Sequence, residues 1–346
     1  MERDTTGDTP RVRRRRLPLI VGLIVAVVAA GWTAVWATAR SRLVAEIDGR
    51  IAGLAAKGVA IACADRAVGG YPFRMELSCR SPGVEIAGRG LAASAAGLRV
   101  VAQIWDPKLI LVELDGPGTV VTAGGETGAS WRTLRASLRW SGRGAERVSI
   151  AAEGLDLTAK PIGRPPLRFT ASHAEAHGRP SGEAGSDLDL ALSAAAAALR
   201  LDGERLGPAT SDVAAAATLH DFLPPGPGPA LPAFAGRGGR IETTRLELAV
   251  GGVALRGRGT LTLDRAGALD GMITLVASGL ETLAGGGIKD VGPELTAVLS
   301  GFMLLGKGST DPAMPGRRLE MVIDRGLVRI GRLTLGQMPP LFPAAD

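Results

Sequence analysis

The segment VALRGRGTLTLD, residues 253–264, alternates between two kinds of residue along its whole length. One set is aliphatic or glycine, and the other is mostly charged or carries a hydroxyl group. A period of two places successive side chains on opposite faces of an extended chain, so the segment predicts a strand with one apolar face. A turn at 265–267 and the alternating run ALDGMITLVAS at 268–278 complete a predicted β-hairpin.

The same alternation recurs from residue 59 to the C-terminal region. A second hairpin is predicted around Arg325-Gly326, and the 49 glycines supply turns between short strands. These features predict a mainly β protein with a curved antiparallel sheet, either an open groove or a closed sandwich, and a few short helices. The other segments that alternate are 59–63, 73–79, 84–86, 98–104, 148–152, 167–171, 188–192 and 246–250.

Residues 17–39 carry no charge and predict a transmembrane anchor. As a helix they span about 35 Å, against a hydrocarbon core of about 30 Å. Basic residues are more numerous in the tail 1–16 than in the segment after the anchor, which predicts a cytoplasmic tail and a periplasmic remainder in a bacterial inner membrane. A cleaved signal peptide is the alternative, since 37–39 resembles a cleavage site, but the apolar run is long for one.

The chain after the anchor divides into four predicted regions. Apolar residues at helical spacing, among them Leu43, Ile47 and Ile51, predict that the helix continues as an amphipathic stalk over 40–57. Two β-rich halves follow, and the second contains a helix near 291–305 that begins around Pro293 and ends at Gly306. The predicted regions are the stalk at 40–57, the first half at 58–222, a Pro/Gly-rich surface loop at 223–240 and the second half at 241–346.

Composition argues against several classes of function. The net charge is +6, but no basic face is interleaved with aromatic residues, which make up only 3% of the chain, so nucleic-acid binding is disfavoured. The segment GFMLLGKGS at 301–309 resembles a phosphate-binding loop but has Gly308 where that loop needs Ser or Thr. It is better explained as a helix end. No cofactor is predicted.

Two groups of polar residues could suggest an enzyme or a metal site. His173 and His177 lie four apart, but the local alternation predicts a strand, which separates them by about 13 Å. Asp187, His220 and Asp221 are the weak candidates for a hydrolase, because no nucleophile motif accompanies them. We therefore predict a non-enzymatic protein without a metal site.

The segment CADRAVGGYPFRMELSC contains the only two cysteines, Cys63 and Cys79, and the only tyrosine. A tight hairpin centred near Val68 would place the cysteines about 20 Å apart, too far for a disulfide. Either the thiols are unpaired, or residues 64–72 form a wide loop and the cysteines bond, as exported cysteines usually do. The corner of this motif consists of Gly70, Tyr71, Pro72, Phe73 and Arg74.

The anchor followed by GGYPFRMELSC at 69–79 resembles the bacterial family of unknown function numbered 2125. WDPKLILVELDGPG at 105–118 and GLVRIGRLTLGQMPPL at 326–341 resemble other recurring segments of that family. The family has no assigned activity, so the resemblance implies no catalytic residue. The hairpin style of 257–283 is similar to AsmA-like envelope proteins. That similarity implies curved sheets with an apolar concave face and a role in lipid transport or envelope homeostasis.

The aliphatic, aromatic-poor face leads to a functional hypothesis. It suits flexible acyl chains, because burial stabilises each methylene by about 0.8 kcal/mol without specific polar contacts. We predict a membrane-anchored protein that handles lipid or another apolar ligand, or helps maintain the envelope. An assembly scaffold that binds another envelope protein is the alternative, and a hydrolase is the least favoured. Candidate lining residues are Val253, Leu255, Leu261, Leu263, Ile273 and Leu275.

Overall fold

The fold consists of one long N-terminal helix followed by a 17-stranded antiparallel β-sheet, in agreement with the mainly β prediction. The computed structural model describes residues 16–142, 144–182, 185–223, 230–250, 252–281, 293–312 and 314–341.

Ten strands form the first part of the sheet. A single 3₁₀ turn at Ala87–Arg89 separates the second and third strands. The strands are β1 (Val59–Gly69), β2 (Arg74–Ile86), β3 (Leu91–Gln103), β4 (Asp106–Thr122), β5 (Gly125–Ser130), β6 (Thr133–Ser141), β7 (Gly144–Pro161), β8 (Leu167–Ser181), β9 (Asp187–Leu201) and β10 (Glu204–His220).

Among the described residues, seven strands and two short helices form the second part. The helices are α2 (Ala230–Gly236) and α3 (Pro293–Leu305). The strands are β11 (Gly239–Val250), β12 (Val253–Leu263), β13 (Leu269–Ser278), β14 (Lys307–Gly308), β15 (Arg317–Asp324), β16 (Leu327–Ile330) and β17 (Leu333–Gln337).

The sheet is a meander in which strands pair mainly with their neighbours in the chain. β12 and β13 form the hairpin predicted from 253–278, with Leu263 opposite Leu269. This order is interrupted at two places. At the first, β5 and β6 both lie between β4 and β7 and pair with both of these strands. At the second, β13 pairs with β15. Each pairing is antiparallel, so successive turns alternate between the two ends of the sheet.

The predicted anchor and stalk form one continuous helix, α1 (Arg16–Ala55). The part of α1 from Pro18 onward is long and apolar enough to cross a membrane. Its most apolar segment is not buried against the rest of the protein. Towards its C-terminal end the helix contacts β1, and Leu43, Val44, Ile47 and Ile51 are half-buried, as the stalk prediction requires.

The predicted Cys63–Cys79 disulfide is confirmed, but the hairpin around it has a different geometry from either alternative. A wide loop over 64–72 is wrong, because β1 continues to Gly69 and the turn occupies 70–73. The turn is therefore not centred near Val68, which lies opposite Leu77. Register shifts near Ala64 bring the two cysteines together, and the Cys63–Cys79 disulfide is present with a Cα–Cα distance of 5.1 Å.

Two further boundaries also differ from expectation. The hairpin predicted around Arg325-Gly326 is confirmed, because β15 pairs with β16 there. The run LVRIGRLTL at 327–335, expected as the second strand of that hairpin, is instead two strands, β16 and β17, separated by a turn at Gly331, which has φ of +58°. The Pro/Gly-rich region 223–240 ends in the helix α2 and the start of β11, and 224–229 lies outside the described residues. The predicted helix near 291–305 is confirmed from Pro293, whereas 291–292 lies outside the described residues.

Candidate functional site

One face of the sheet is apolar across nearly all of its strands. Residues directly opposite each other in paired strands share a face, so the register identifies its members. Leu77 lies opposite Val100, which lies opposite Val112 on β4. The same face continues through β6 to β13 as the following pairs: Ala136 with Ile150, Leu157 with Phe169, Ala176 with Leu192, Ala215 with Leu246, and Gly257 with Leu275.

The opposite face carries cross-strand ion pairs. Arg99 reaches Glu76 at 3.2 Å and Glu113 at 3.5 Å, and Arg135 reaches Glu113 at 3.2 Å. A hydrogen bond from Arg168 lowers the pKa of Asp156. We call the two surfaces the apolar face and the charged face. Since each ion pair is solvent-exposed, it contributes little to stability, but the ladder shows which face meets water.

The apolar face is covered by helices at the C-terminal end of the meander. Phe302 of α3 is fully buried, with Leu299, against Val253 and Ala277. Phe234 of α2 is 1% exposed and packs with Leu263. This part of the face is therefore a closed hydrophobic core.

Between that core and the helix α1 the apolar face is open. A groove of about 590 Å³ crosses β8 to β13, and its lining is almost wholly apolar. Leu192 is 54% exposed in the groove even though it lies on the apolar face. We call this the central groove. Its lining includes Phe169, Leu192, Val213, Leu246, Leu255 and Leu275.

A second groove of about 590 Å³ lies beside the stalk part of α1. Ile47 and Ile51 of the helix form one wall, and Leu157 is at the far side. Leu157 is directly opposite Phe169 of the central groove, so the two grooves are contiguous along the apolar face. We call this the stalk groove. Together they form one apolar trough from α1 to the covered core.

The predicted lining residues divide between the trough and the core. Leu255 and Leu275 border the central groove. Val253 and Leu263 lie under the helices, and Leu261 and Ile273 are buried with Ile323 in a third cluster. Alternation identifies the apolar face but does not reveal which part of it a helix covers. Leu192 and Phe169 were missed, although both lie in segments recognised as alternating.

The corner motif lies against α1. The Trp32 indole donates to the carbonyl oxygen of Pro72 at 2.9 Å, and Thr33 and Tyr71 share a hydrogen bond of 2.8 Å. The Trp36 ring contacts the Tyr71 ring edge-on with centroids 5.4 Å apart. At Gly70, φ is +98° and an added Cβ would lie 2.7 Å from the carbonyl oxygen of Arg74, so this turn needs glycine.

The three hydrolase candidates lie at the turns that join β8 to β9 and follow β10. The two ring nitrogens of His220 are each 3.1 Å from a carboxylate, of Asp187 and of Glu242. The backbone N–H of Asp221 donates to Asp187 and, with His220, lowers the pKa of the Asp187 carboxyl. His220 and Asp221 border a cavity of about 730 Å³. Both His220 nitrogens face acids, which is not the arrangement of a base that activates a serine.

His173 and His177 lie on strand β8, as predicted, and on the charged face. Glu175 lies between them and contacts one nitrogen of each, at 2.9 and 3.2 Å. The Glu175 carboxylate, together with Glu153, raises the pKa of His173. Among the described residues no group of three or more His, Cys, Asp or Glu is arranged to hold a metal ion.

The phosphate-loop resemblance at 301–309 has a structural explanation. Residues up to Leu305 are helical, and Lys307–Gly308 pairs with β15. The Arg317 guanidinium donates to the carbonyl oxygens of Phe302 at 2.8 Å and Gly306 at 2.6 Å. A cation at a helix C-terminus satisfies the last carbonyl groups, so the segment is a capped helix end.

A family model matches residues 36–339, which cover the corner motif, the trough and the strands up to β17. Its description is "Uncharacterized protein conserved in bacteria (DUF2125)". The chain belongs to the DUF2125 family. No curated protein and no solved structure matched the chain. The match assigns the chain to this family but gives no function, so the function has to be inferred from the structure. The AsmA-like similarity stays a prediction.

Proposed function

We propose that this DUF2125 protein is a non-enzymatic, membrane-anchored protein that holds lipid acyl chains in the trough. The observation that carries the proposal is the open part of the apolar face. Leu192 is 54% exposed there, surrounded by aliphatic neighbours, while the charged face provides the water-facing surface. A long flexible apolar chain would bury this surface and contribute about 25 cal/mol for each Å² removed from water.

The trough also has the composition expected for such a ligand. In the central groove, the side chains that the register places on the apolar face are aliphatic or aromatic apart from Gly257. The polar residues that border the groove belong to the charged face, and they are Glu175, Ser193, Glu247 and Arg256. Apolar ligand sites are normally lined this way, with few polar groups that fix orientation. An acyl chain binds through a long apolar surface more than through specific polar contacts. The trough offers such a surface because the stalk groove continues into the central groove.

We further propose that α1 crosses the bacterial inner membrane, with 1–16 in the cytoplasm and the sheet in the periplasm. The excess of basic residues before the apolar run supports this orientation. The Cys63–Cys79 disulfide supports an oxidising compartment for the sheet. Alkaline phosphatase fused after residue 341 would be active under this topology. An inactive fusion would contradict the proposed orientation of α1.

Photo-crosslinking in cells tests the acyl-chain proposal. Benzoylphenylalanine replaces Leu192 in the central groove or Met272 on the charged face, which is 48% exposed and so forms a matched control. We expect a lipid adduct, detected by mass spectrometry of the intact chain, at residue 192 alone. Equal adducts at both positions, or none at 192, would overturn the proposal.

A protein partner is the second candidate function, and one observation favours it. The edge strand β17 is exposed throughout, with Leu333 54% and Leu335 40% exposed. Among the described strands β17 pairs only with β16, and an edge of this kind can accept a strand from another protein. Crosslinks to one protein from benzoylphenylalanine at 335, with no lipid adduct at 192, would favour a scaffold over the lipid-binding function.

A further inference from the structure

We propose that Tyr71, Phe73 and Trp105 insert into the outer leaflet of the membrane that α1 crosses, so that the edge of the sheet is held in the bilayer. We call these three residues the aromatic tip. The proposed partner is a lipid surface. The inference rests on α1 being a membrane span and is independent of what the trough binds.

The position of the aromatic tip along α1 is the first observation. Tyr71 bonds to Thr33, six residues before the end of the uncharged segment at Ala39. At 1.5 Å per residue this places the Tyr71 hydroxyl about 9 Å inside that end. The hairpin therefore reaches back beside the apolar helix instead of stopping at its charged boundary, which begins at Arg40.

Exposure of large apolar rings is the second observation. Tyr71 is 50%, Phe73 58% and Trp105 67% exposed. The Phe73 and Trp105 rings lie 6.2 Å apart, and the backbone N–H of Ile104 donates to Phe73, so the turns before β2 and β4 form one projection. Such a cluster costs free energy in water and is stabilised in lipid.

The third observation is that four backbone carbonyl groups in the turn at 70–74 are paired. In hydrocarbon an unpaired carbonyl or N–H costs several kcal/mol. The carbonyl oxygens of Gly70, Pro72, Phe73 and Arg74 accept hydrogen bonds, two of them from the α1 indoles. Pro72 has no N–H to satisfy. These pairings lower the free-energy cost of placing the turn where water is excluded.

The distribution of aromatic residues agrees with insertion. Only 3% of the chain is aromatic, yet the tryptophans concentrate at this edge. Trp140, 51% exposed, lies at the end of β6, which is beside the start of β4 in the sheet. Indoles favour the membrane interface. Four of the five tryptophans, Trp32, Trp36, Trp105 and Trp140, lie on α1 or at these turns.

Spin labels on the full chain test the inference. The native cysteines are bonded to each other, so a nitroxide reagent will modify only a newly introduced thiol. We would label Phe73→Cys and Trp105→Cys in vesicles of phosphatidylethanolamine and phosphatidylglycerol. Ile162→Cys is the matched control, because Ile162 is 74% exposed at a turn on the opposite end of the sheet.

The measurement compares collisions with dissolved oxygen, which partitions into lipid, and with a water-soluble nickel chelate. At 73 and 105 we expect nickel collisions to be lost and oxygen collisions to rise, relative to 162. If either folded tip variant meets nickel as often as the label at 162, the tip is in water and the inference is wrong.

Discussion

The Trp32 indole nitrogen lies 2.9 Å from the carbonyl oxygen of Pro72, and this bond joins the long helix α1 to the first hairpin of the sheet. Arg40 adds a second link, donating to the carbonyl oxygen of Val68 at 2.8 Å. An ion pair between Arg66 and Asp48 adds a third, further along α1. Side-chain contacts at three positions along α1 therefore connect the helix to the sheet, in addition to the chain itself.

Removal of the first link should loosen the hairpin. Trp32→Phe keeps a ring but deletes the donor, which costs about 1 kcal/mol for one hydrogen bond. We expect hydrogen exchange at residues 73–75 to become about fivefold faster, measured by mass spectrometry on the full chain in lipid nanodiscs. Trp140→Phe, far from Pro72 in sequence and outside this contact, serves as the control. Unchanged exchange in Trp32→Phe would show that the bond does not hold the turn.

The disulfide should contribute strongly to stability because it closes a loop between residues 16 apart in sequence. We expect the Cys63→Ala, Cys79→Ala double variant to lower the free energy of unfolding by about 3 kcal/mol. Denaturant unfolding followed by circular dichroism measures this. Reduction of the wild-type chain should produce a similar loss. A double variant as stable as wild type would contradict the expectation.

The core under α3 offers a matched pair on one helix. Phe302 is fully buried, whereas Leu304 is 82% exposed. Phe302→Ala should cost about 3–5 kcal/mol through lost contacts and a residual cavity. Leu304→Ala should change stability by less than about 0.5 kcal/mol. Thermal unfolding of the two variants measures the loss of stability in each. Similar losses in both would mean that α3 does not cover the sheet as described.

The His173 cluster predicts a pH dependence. Glu175 and then Glu153 raise the pKa of His173, so the folded state binds its proton more tightly than the unfolded state does. Its contribution to stability is complete below about pH 6.5, the unfolded value, and is lost as pH rises through the higher folded pKa. His173→Gln should flatten this part of the stability curve, measured as the unfolding midpoint against pH. Parallel curves for wild type and variant would exclude the coupling.

Blocking the trough should prevent lipid capture. Ala215 lies on the apolar face beside Leu192, while Ala216 lies on the charged face and outside the central groove. Ala215→Trp should reduce the lipid adduct formed by benzoylphenylalanine at 192, because the indole fills the groove. Ala216→Trp should leave the adduct intact. Equal adducts in the two variants would show that the captured lipid does not occupy the central groove.

Much of the architecture follows from local pattern. Alternation identified the apolar face of β12 and β13 because a period of two can be satisfied only by an extended chain with two unlike faces. The uncharged run identified α1. The helix α3 begins at Pro293 and ends just before Gly306, as predicted from the preference of proline for the first turn and of glycine for the end of a helix. These features depend on neighbours in the chain, which a single sequence displays.

Features that depend on distant contacts were harder to predict. The distance from Cys63 to Cys79 depends on register shifts within β1, and no residue type marks them. Leu263 is buried and Leu192 open, although both are leucines on the same face, because α2 covers only the first. The contacts of Tyr71 with α1 were equally hidden, since they join residues 38 apart in the chain.

The order of the meander has a consequence for how the protein is made. Since most strands pair with the next strand in the chain, few contacts require the C-terminal residues before the N-terminal ones have folded. The first hairpin rests on a helix that is synthesised before it. The sheet can therefore lengthen one hairpin at a time from a fixed starting edge as the polypeptide emerges, and the exposed growing strand is covered by the next one to arrive.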